Sequence, residues 1–245
     1  MVEPSPSKWE NSLVMLIKIT ARPQPYAFDP SATAVLAIDV QNDFGAQGGY
    51  VDSFGVPIEG TRATIGPIAR VLDAARAANI AIVYTKMEFK RDLSNVGGPE
   101  SPNRELLGLG SGDFLIENTW NTEIVPELAP RQGDTIVSKQ RYSGFFETDL
   151  DDILRARGIT NLVFVGWTTS VCVESTVRDA FYRDYRCIVL EDCTAETVGR
   201  SQVRTNHEAS LFVIQAQFGW VADSQSLLDG LARATGLASA ASRYE

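Results

Sequence analysis

Apolar and β-branched residues are concentrated in five short runs along the chain, and within each run they are nearly continuous. The runs cover residues 34–39, 80–86, 135–138, 162–165 and 187–190. A strand that is buried on one face alternates between apolar and polar residues, whereas a strand of a parallel sheet covered on both faces is apolar throughout. The pattern therefore predicts five buried parallel strands.

The stretches between these runs have helical periodicity. Residues 64–79 are the clearest case, with apolar side chains at helical spacing. Further helices are predicted at residues 149–157, 171–185, 198–217 and 224–235. Strands that alternate with helices predict an α/β fold, with a doubly wound parallel sheet, helices on both faces and right-handed crossovers.

Two parts of the chain depart from this alternation. Residues 1–22 contain one apolar run, at 13–17, which is far shorter than the roughly 20 residues of a membrane span and lacks the basic flank of a signal peptide. We predict a tail or an added edge element there, followed by a single domain at 23–245. Residues 88–118 (the 88–118 segment) are rich in glycine and proline, which predicts a lid or binding loop. The alternative is a surface insertion without a function.

The composition excludes several classes of function. The chain has 22 Lys and Arg against 31 Asp and Glu, a formal net charge of −9 and one histidine. No basic stripe is present for a nucleic acid or an anionic membrane, and one histidine argues against a zinc site. Phosphate-binding glycine motifs do not occur, so we expect neither a metal nor a cofactor. Three cysteines without a secretory signal predict reduced thiols in the cytoplasm.

Three chemically active residues follow predicted strands: Asp39, Lys139 and Cys172. In open α/β sheets, ligands bind outside the carboxyl ends of the strands, where these side chains would converge if their strands are central neighbours. Cys172 falls in the first turn of a predicted helix, where the helix dipole and unpaired N–H groups favour a thiolate and could hold an oxyanion.

This set of residues fits acyl transfer from an amide. Lys139 would stabilise the thiolate, and Asp39 would take the thiol proton and pass it to the leaving nitrogen. Taken singly, Asp39 is better explained as a turn cap and Lys139 as a solvated charge, but the three together favour catalysis. His207 lies inside a predicted helix and is expected to point to solvent, so a histidine-dependent mechanism is not predicted.

Three sequence motifs carry a family resemblance: D-V-Q-N-D-F at 39–44, K-Q-R-Y-S-G-F-F at 139–146 and G-W-T-T-S-V-C-V at 166–173. With them, residues 28–231 resemble the isochorismatase-like cysteine hydrolase superfamily. The resemblance implies a Rossmann-like fold and a catalytic triad of Asp39, Lys139 and Cys172. It also implies a cis peptide between Trp167 and Thr168, which would turn the Thr168 N–H toward the Cys172 N–H to form an oxyanion hole.

Within this superfamily the chain looks most like ureidoacrylate amidohydrolases and the related biuret and triuret hydrolases. The stretches at 97–103 and 141–146 favour the first group, and Gln215 favours the second. The leading interpretation is a cysteine-dependent amidohydrolase of a small ureido or carbamoyl amide, working as a dimer or tetramer. The alternatives are a nicotinamidase, for which the histidine ligands of a metal are missing, an N-carbamoyl amidase, and a non-catalytic redox sensor or structural oligomer.

The substrate pocket is predicted in less detail. Aromatic residues could form a flat apolar pocket. Side-chain amides and a carboxylate could form hydrogen bonds with the N–H and C=O groups of a ureide. The aromatic candidates are Phe44, Tyr50, Trp120, Tyr142 and Phe146, and the polar candidates are Gln41, Glu88 and Gln215. For each aromatic residue the alternative is ordinary core packing.

Overall fold

A computed structural model describes residues 15–98, 100–107, 112–198 and 203–241. The strands in these ranges are β1 (Ile17–Ile19), β2 (Tyr26–Phe28), β3 (Thr33–Ile38), β4 (Ala81–Met87), β5 (Thr135–Lys139), β6 (Asn161–Trp167), β7 (Arg186–Ala195) and β8 (Gly219–Ala222). The last six form one parallel sheet in the order β5-β4-β3-β6-β7-β8. The predicted α/β class and doubly wound sheet are confirmed.

Helices cover both faces of the sheet. In the described ranges they are α1 (Asn42–Gly45), α2 (Tyr50–Ser53), α3 (Glu59–Ala63), α4 (Ile65–Ala77), α5 (Pro102–Leu106), α6 (Leu150–Ala156), α7 (Glu174–Phe181), α8 (Asn206–Val213) and α9 (Ser224–Ala241). One apolar core lies under α4 and α9, and the other lies under α6 and α7. Among the described helices, none combines the length and the apolar character needed to cross a membrane.

The structure changes several predicted element bounds. The sheet gains β8, a short strand that was not predicted. The helix predicted at 198–217 begins only at Asn206, where the Thr205 side chain caps the N-terminus and Glu208 completes a capping box. Residues 199–202 of that prediction lie outside the described residues.

The N-terminal residues that the structure describes form an added edge element. β1 pairs with β2 in a separate antiparallel sheet, and its Ile17 and Ile19 side chains are buried against the core under α9. Arg22 then forms an antiparallel bridge with Val221 on the edge strand β8. Of the two predicted alternatives, residues 15–22 fit the edge element, while residues 1–14 lie outside the described part.

The two ends of the 88–118 segment pair with each other and pack into the apolar core under α6 and α7. Phe89 bridges to Ile116, and Phe89, Val96 and Leu115 are fully buried. α5 lies between these attachment points, while residues 99 and 108–111 are outside the described part. The segment is therefore packed onto the domain at both ends, and its action as a lid stays a prediction.

Candidate active site

The side chains of Asp39, Lys139 and Cys172 meet in a space closed to solvent. The Lys139 ammonium lies 2.6 Å from Oδ2 of Asp39, with both side chains 0% exposed. The same ammonium lies 3.6 Å from Sγ of Cys172 and donates to the Arg141 carbonyl at 3.1 Å. One ion pair and two hydrogen bonds therefore fix the position of the charge.

The sheet order explains why a lysine can complete this cluster. Asp39 follows β3 at the centre of the sheet, whereas Lys139 ends β5, an edge strand separated from β3 by β4. Neighbouring strands lie about 4.8 Å apart, so the side chain that crosses β4 has to be long. The condition that all three strands are central neighbours is not met by β5, and the length of the lysine side chain compensates for the distance.

Asp39 is held in place by its backbone and by β4. Its φ of +50° lies in the left-handed region, where the chain turns sharply at the end of β3. Oδ1 accepts a hydrogen bond of 2.7 Å from the Thr85 hydroxyl. Thr85 thus orients the carboxylate so that Oδ2 faces Lys139.

Cys172 lies in a tight turn rather than in the first turn of a regular helix. Residues Thr169–Val173 form a π-helical turn that leads directly into α7. Before it comes a cis peptide between Trp167 and Thr168, so this expectation is confirmed. Gly166 has a φ of +112°, and a Cβ there would lie 2.1 Å from the Ile38 carbonyl oxygen. Only glycine allows β6 and β3 to approach each other this closely at the site.

The surroundings of Cys172 disfavour the charged form of its thiol. Burial raises the pKa of the Cys172 thiol well above its ordinary range; Lys139 opposes this shift, while the charge of Asp39 and its hydrogen bond with the thiol add to it. Burial alone would lower the pKa of Lys139, but the charges of Asp39 and Cys172 outweigh burial and raise it. Burial of the thiol thus acts against the thiolate that the helix end is expected to favour.

Comparison with known proteins places the chain in a family. Residues 33–226 match the family model described as Isochorismatase domain. The chain belongs to the isochorismatase family. Ureidoacrylate amidohydrolase RutB of Rhizobium rhizogenes (strain K84) is 44% identical over 216 residues, which cover 84% of this chain and 86% of the relative. Ureidoacrylate amidohydrolase RutB of Agrobacterium fabrum (strain C58) is 44% identical over 214 residues, covering 83% and 92%.

Solved structures of the isochorismatase family have the same fold. A cysteine hydrolase from Pseudomonas syringae pv. phaseolicola superposes with a TM-score of 0.75 at 31% identity, covering 84% of this chain and 95% of the other. N-carbamoylsarcosine amidase from Thermoplasma acidophilum has a TM-score of 0.62 at 28% identity, covering 78% and 96%. The predictions of the family and of an amidohydrolase are confirmed.

One predicted substrate residue, Tyr142, lies near the cluster of Asp39, Lys139 and Cys172. Burial raises the pKa of the Tyr142 hydroxyl, and the charges of Cys172 and Lys139 also act on it. Burial raises the pKa of Tyr50 in the same way, with a smaller effect from Tyr142. Both rings are half-buried, and the Tyr50 hydroxyl donates to the Leu107 carbonyl in the 88–118 segment. A contact of either tyrosine with a substrate stays a prediction.

The three polar candidates already have partners elsewhere. Gln41 is fully buried, and its side-chain amide bonds the Met87 backbone and the Thr122 carbonyl. Glu88 pairs with Lys86 at 2.8 Å and accepts a hydrogen bond from Ser138.

Gln215 accepts a hydrogen bond of 3.0 Å from Arg22, beside the edge strand β8. The cleft lined by Gln215 contains Trp220 and Phe218 but none of Asp39, Lys139 and Cys172. Gln41 and Glu88 are thus bonded to the scaffold and Gln215 lies at a different edge of the sheet, and contacts of these three side chains with a substrate stay a prediction.

The remaining aromatic candidates differ in burial. Phe44 is half-buried and packs against both apolar cores, as in the alternative of core packing. Trp120 is 47% exposed and Phe146 is 45% exposed, with the Arg141 guanidinium over the Phe146 ring. A role of these three rings in the substrate pocket stays a prediction.

Sequence reasoning also missed residues that shape the site. Asp43 is buried and accepts three hydrogen bonds, from the Tyr50 N–H, the Leu115 N–H and the Asn121 amide. Its carboxylate thus joins α1 to the 88–118 segment. A hint was available in the sequence, because a second acidic residue in the D-V-Q-N-D-F stretch has no use in the triad.

Proposed function

We propose that this protein hydrolyses a C–N bond of a small ureido or carbamoyl amide through a covalent intermediate on Cys172. The observation that carries the proposal is the Lys139 ammonium, which lies 2.6 Å from Asp39 and 3.6 Å from the Cys172 sulfur. A buried thiol, a carboxylate that can take its proton and a fixed positive charge are the groups that this chemistry needs.

In the first half-reaction, Sγ of Cys172 attacks the ureido carbonyl carbon while the thiol proton passes to Asp39. The carbonyl oxygen becomes negative, and the backbone N–H groups of Thr168 and Cys172 hold it. When this adduct collapses, the C–N bond breaks and Asp39 delivers the same proton to the leaving nitrogen. Direct transfer from thiol to carboxylate suits a buried cluster, because a free thiolate is not needed beforehand.

In the second half-reaction, water attacks the carbonyl carbon of the acyl intermediate, and Asp39 takes one of the protons of that water. Collapse of the new adduct breaks the C–S bond, and the proton returns to the sulfur. Lys139 keeps its charge throughout and compensates, in turn, the thiolate and the Asp39 carboxylate. The cycle therefore ends with the enzyme in its starting protonation state.

The names of the relatives narrow the proposed substrate class. Two relatives at 44% identity are named ureidoacrylate amidohydrolase, so a ureido acid of that type is the first candidate. Biuret and triuret contain the same ureido carbonyl and stay in the proposal. An N-carbamoyl amino acid is a second candidate, which the structural likeness to an N-carbamoylsarcosine amidase favours.

The test is ammonia release from ureidoacrylate, biuret, triuret, N-carbamoylsarcosine and nicotinamide, measured with the purified full-length chain. Turnover of one or more ureido compounds, without turnover of nicotinamide, is the expected result. Turnover of nicotinamide alone would contradict the proposed substrate class. A thiol that is alkylated without turnover of any compound would support the redox-sensor alternative.

A matched pair of variants tests the covalent route. Cys172→Ser should keep the fold, as seen in an unchanged circular dichroism spectrum, while turnover falls by about three orders of magnitude or more. Cys187→Ser is the control, because Cys187 is a buried core thiol on β7 away from Lys139. Near-normal turnover by Cys172→Ser would exclude the thiol as nucleophile.

The proposal also includes a homo-oligomer, a dimer or tetramer, in the cytoplasm. All three cysteines are free and buried, which suits a reducing compartment. Sedimentation measurements on the purified chain test the subunit number, and a monomer at working concentration would contradict it.

A further inference from the structure

His207 lies beside the turn that carries the proposed nucleophile. Its Nδ1 is 2.9 Å from the hydroxyl of Thr169, a side chain that is fully buried. Thr169 begins the π-helical turn that contains Cys172. The expectation that His207 points to solvent was wrong, because the turn and α8 pack directly against each other.

The neighbouring residues of the turn are held by the same part of the chain. The Glu196 carboxylate accepts the Ser170 N–H at 2.9 Å, and the hydroxyls of Thr168 and Thr197 lie 3.3 Å apart. With the His207 contact, residues 168, 169 and 170 are each bonded to the stretch that runs from the end of β7 to the start of α8. These three contacts hold the beginning of the turn in place.

The position of the imidazole is itself fixed. His207 is the second residue of α8, and the capping box between Thr205 and Glu208 sets where that helix begins. The ring is half-buried and lines a cleft of about 260 Å³ together with Glu196 and Thr205. A ring held in this way can fix the Thr169 hydroxyl in one place.

We propose that His207 is a positioning residue. Through the Thr169 hydroxyl it holds the Thr169–Val173 turn in place, so that Sγ of Cys172 stays aligned with the substrate carbonyl. This inference rests on the proposed function, in which Cys172 is the nucleophile. His207 does not touch the catalytic cluster and transfers no proton in the reaction.

The charges around the ring are consistent with a neutral imidazole in this role. Burial lowers the pKa of His207, and the three carboxylates that act on the ring, Glu196 and Glu191 near β7 and Glu208 on α8, oppose this effect without cancelling it. A neutral ring has one nitrogen that accepts and one that donates, so Nδ1 can accept a hydrogen bond from the Thr169 hydroxyl.

The test compares variants on both sides of the contact. His207→Ala and Thr169→Val each remove one partner, while His207→Asn keeps a polar atom near the place of Nδ1 and Thr169→Ser keeps the hydroxyl.

We expect His207→Ala and Thr169→Val to lower kcat about tenfold with KM within about twofold, since one hydrogen bond of about average strength is lost. His207→Asn and Thr169→Ser should recover most of kcat, and Asn206→Ala, next to His207 on the same turn, is the control.

A second readout does not depend on the substrate. The rate at which iodoacetamide alkylates Cys172, followed by peptide mass spectrometry, should change in the same two variants and return in the conservative ones. The double variant His207→Ala/Thr169→Val should change kcat and the alkylation rate by the same factor as either single variant. It should not show the product of the two single factors. If His207→Ala does not fold, the Thr169→Val and Thr169→Ser pair gives the answer alone.

Values of kcat and alkylation rate within twofold of the original protein for both His207→Ala and Thr169→Val would overturn the inference. A double variant whose effects multiply would also overturn it. If the unaltered protein turns over no ureide, the proposed function fails, but the alkylation rates still decide whether His207 positions the turn.

Discussion

The ammonium of Lys139 and the carboxylate of Asp39 form an ion pair of 2.6 Å with both side chains 0% exposed. They come from strands that are not neighbours, with β4 between them. Two charges taken out of water are costly, and their attraction offsets this cost only when both are present. The pair therefore ties the stability of the domain to the same groups that the proposed reaction uses.

Removing one member of this pair should destabilise the fold as well as abolish turnover. Lys139→Met leaves the Asp39 carboxylate buried and unpaired, and we expect a loss of about 3–5 kcal/mol in the free energy of unfolding, measured with urea. The double variant Asp39→Asn/Lys139→Met should be more stable than Lys139→Met alone, although it is also inactive. Arg131→Gln, which breaks an ion pair with Asp73 in which both side chains are more than half exposed, is the control and should cost less than about 1 kcal/mol.

Gly166 should tolerate no side chain. The Cβ of Gly166→Ala would lie 2.1 Å from the Ile38 carbonyl oxygen, in backbone that cannot move without separating β6 from β3. We expect a loss of more than about 3 kcal/mol in the free energy of unfolding. Gly158→Ala is the matched control, because Gly158 has a φ of +67° with open space around it, so only the backbone cost of roughly 1 kcal/mol applies. Equal losses for the two variants would contradict the steric argument.

Asp43 should hold the 88–118 segment against the site. Its two oxygens accept from three donors, so Asp43→Asn places an amide NH₂ against at least one N–H group. We expect a loss of about 1–3 kcal/mol in stability, together with faster hydrogen exchange of the Leu115 amide. Asp113→Asn is the control in the same segment, because the Asp113 side chain is 55% exposed. Unchanged exchange at Leu115 would show that Asp43 does not hold the segment.

The reactivity of the Cys172 thiol should rise with pH beyond the range of an ordinary cysteine. Burial raises its pKa, and Lys139 compensates only in part. The rate of alkylation by iodoacetamide should therefore still increase above pH ~8.5, where a free cysteine in the same buffers begins to level off. A plateau below that pH would mean that the resting enzyme carries a thiolate, and that proton transfer to Asp39 precedes substrate binding.

Acid should destabilise the protein through His207. Burial lowers the pKa of this imidazole from its ordinary value of 6.5, so the unfolded chain binds the proton more readily than the folded protein does. The stability that the neutral ring contributes is present above pH 6.5 and is lost as the pH falls through and below this value. Urea titrations at a series of pH values should show a steeper loss for the original protein than for His207→Asn. Because the sequence has one histidine, an NMR titration reads its pKa directly.

Much of the fold follows from local pattern. Continuous apolar runs predicted five of the six strands of the main sheet, because a strand covered on both faces is apolar whatever its neighbours are. The prediction of burial on both faces was wrong for the edge strand β5, where Ile136 is 51% exposed. The same pattern placed Asp39, Lys139 and Cys172 just beyond strand ends, where an α/β sheet gathers its ligands. β8 was missed because its Gly219–Ala222 run is too short to be distinguished from a helix end.

The tertiary structure alone decided which side chains meet. No local pattern shows that β5 lies at the edge, that the Gln41 amide is used by the Met87 backbone, or that Gln215 bonds Arg22. The tertiary structure also brings His207 to Thr169, which lies 38 residues away in the sequence. Periodicity reports only whether a face is buried; the partner of a polar group depends on which distant strand or helix packs beside it, and that is settled by the global arrangement of the chain.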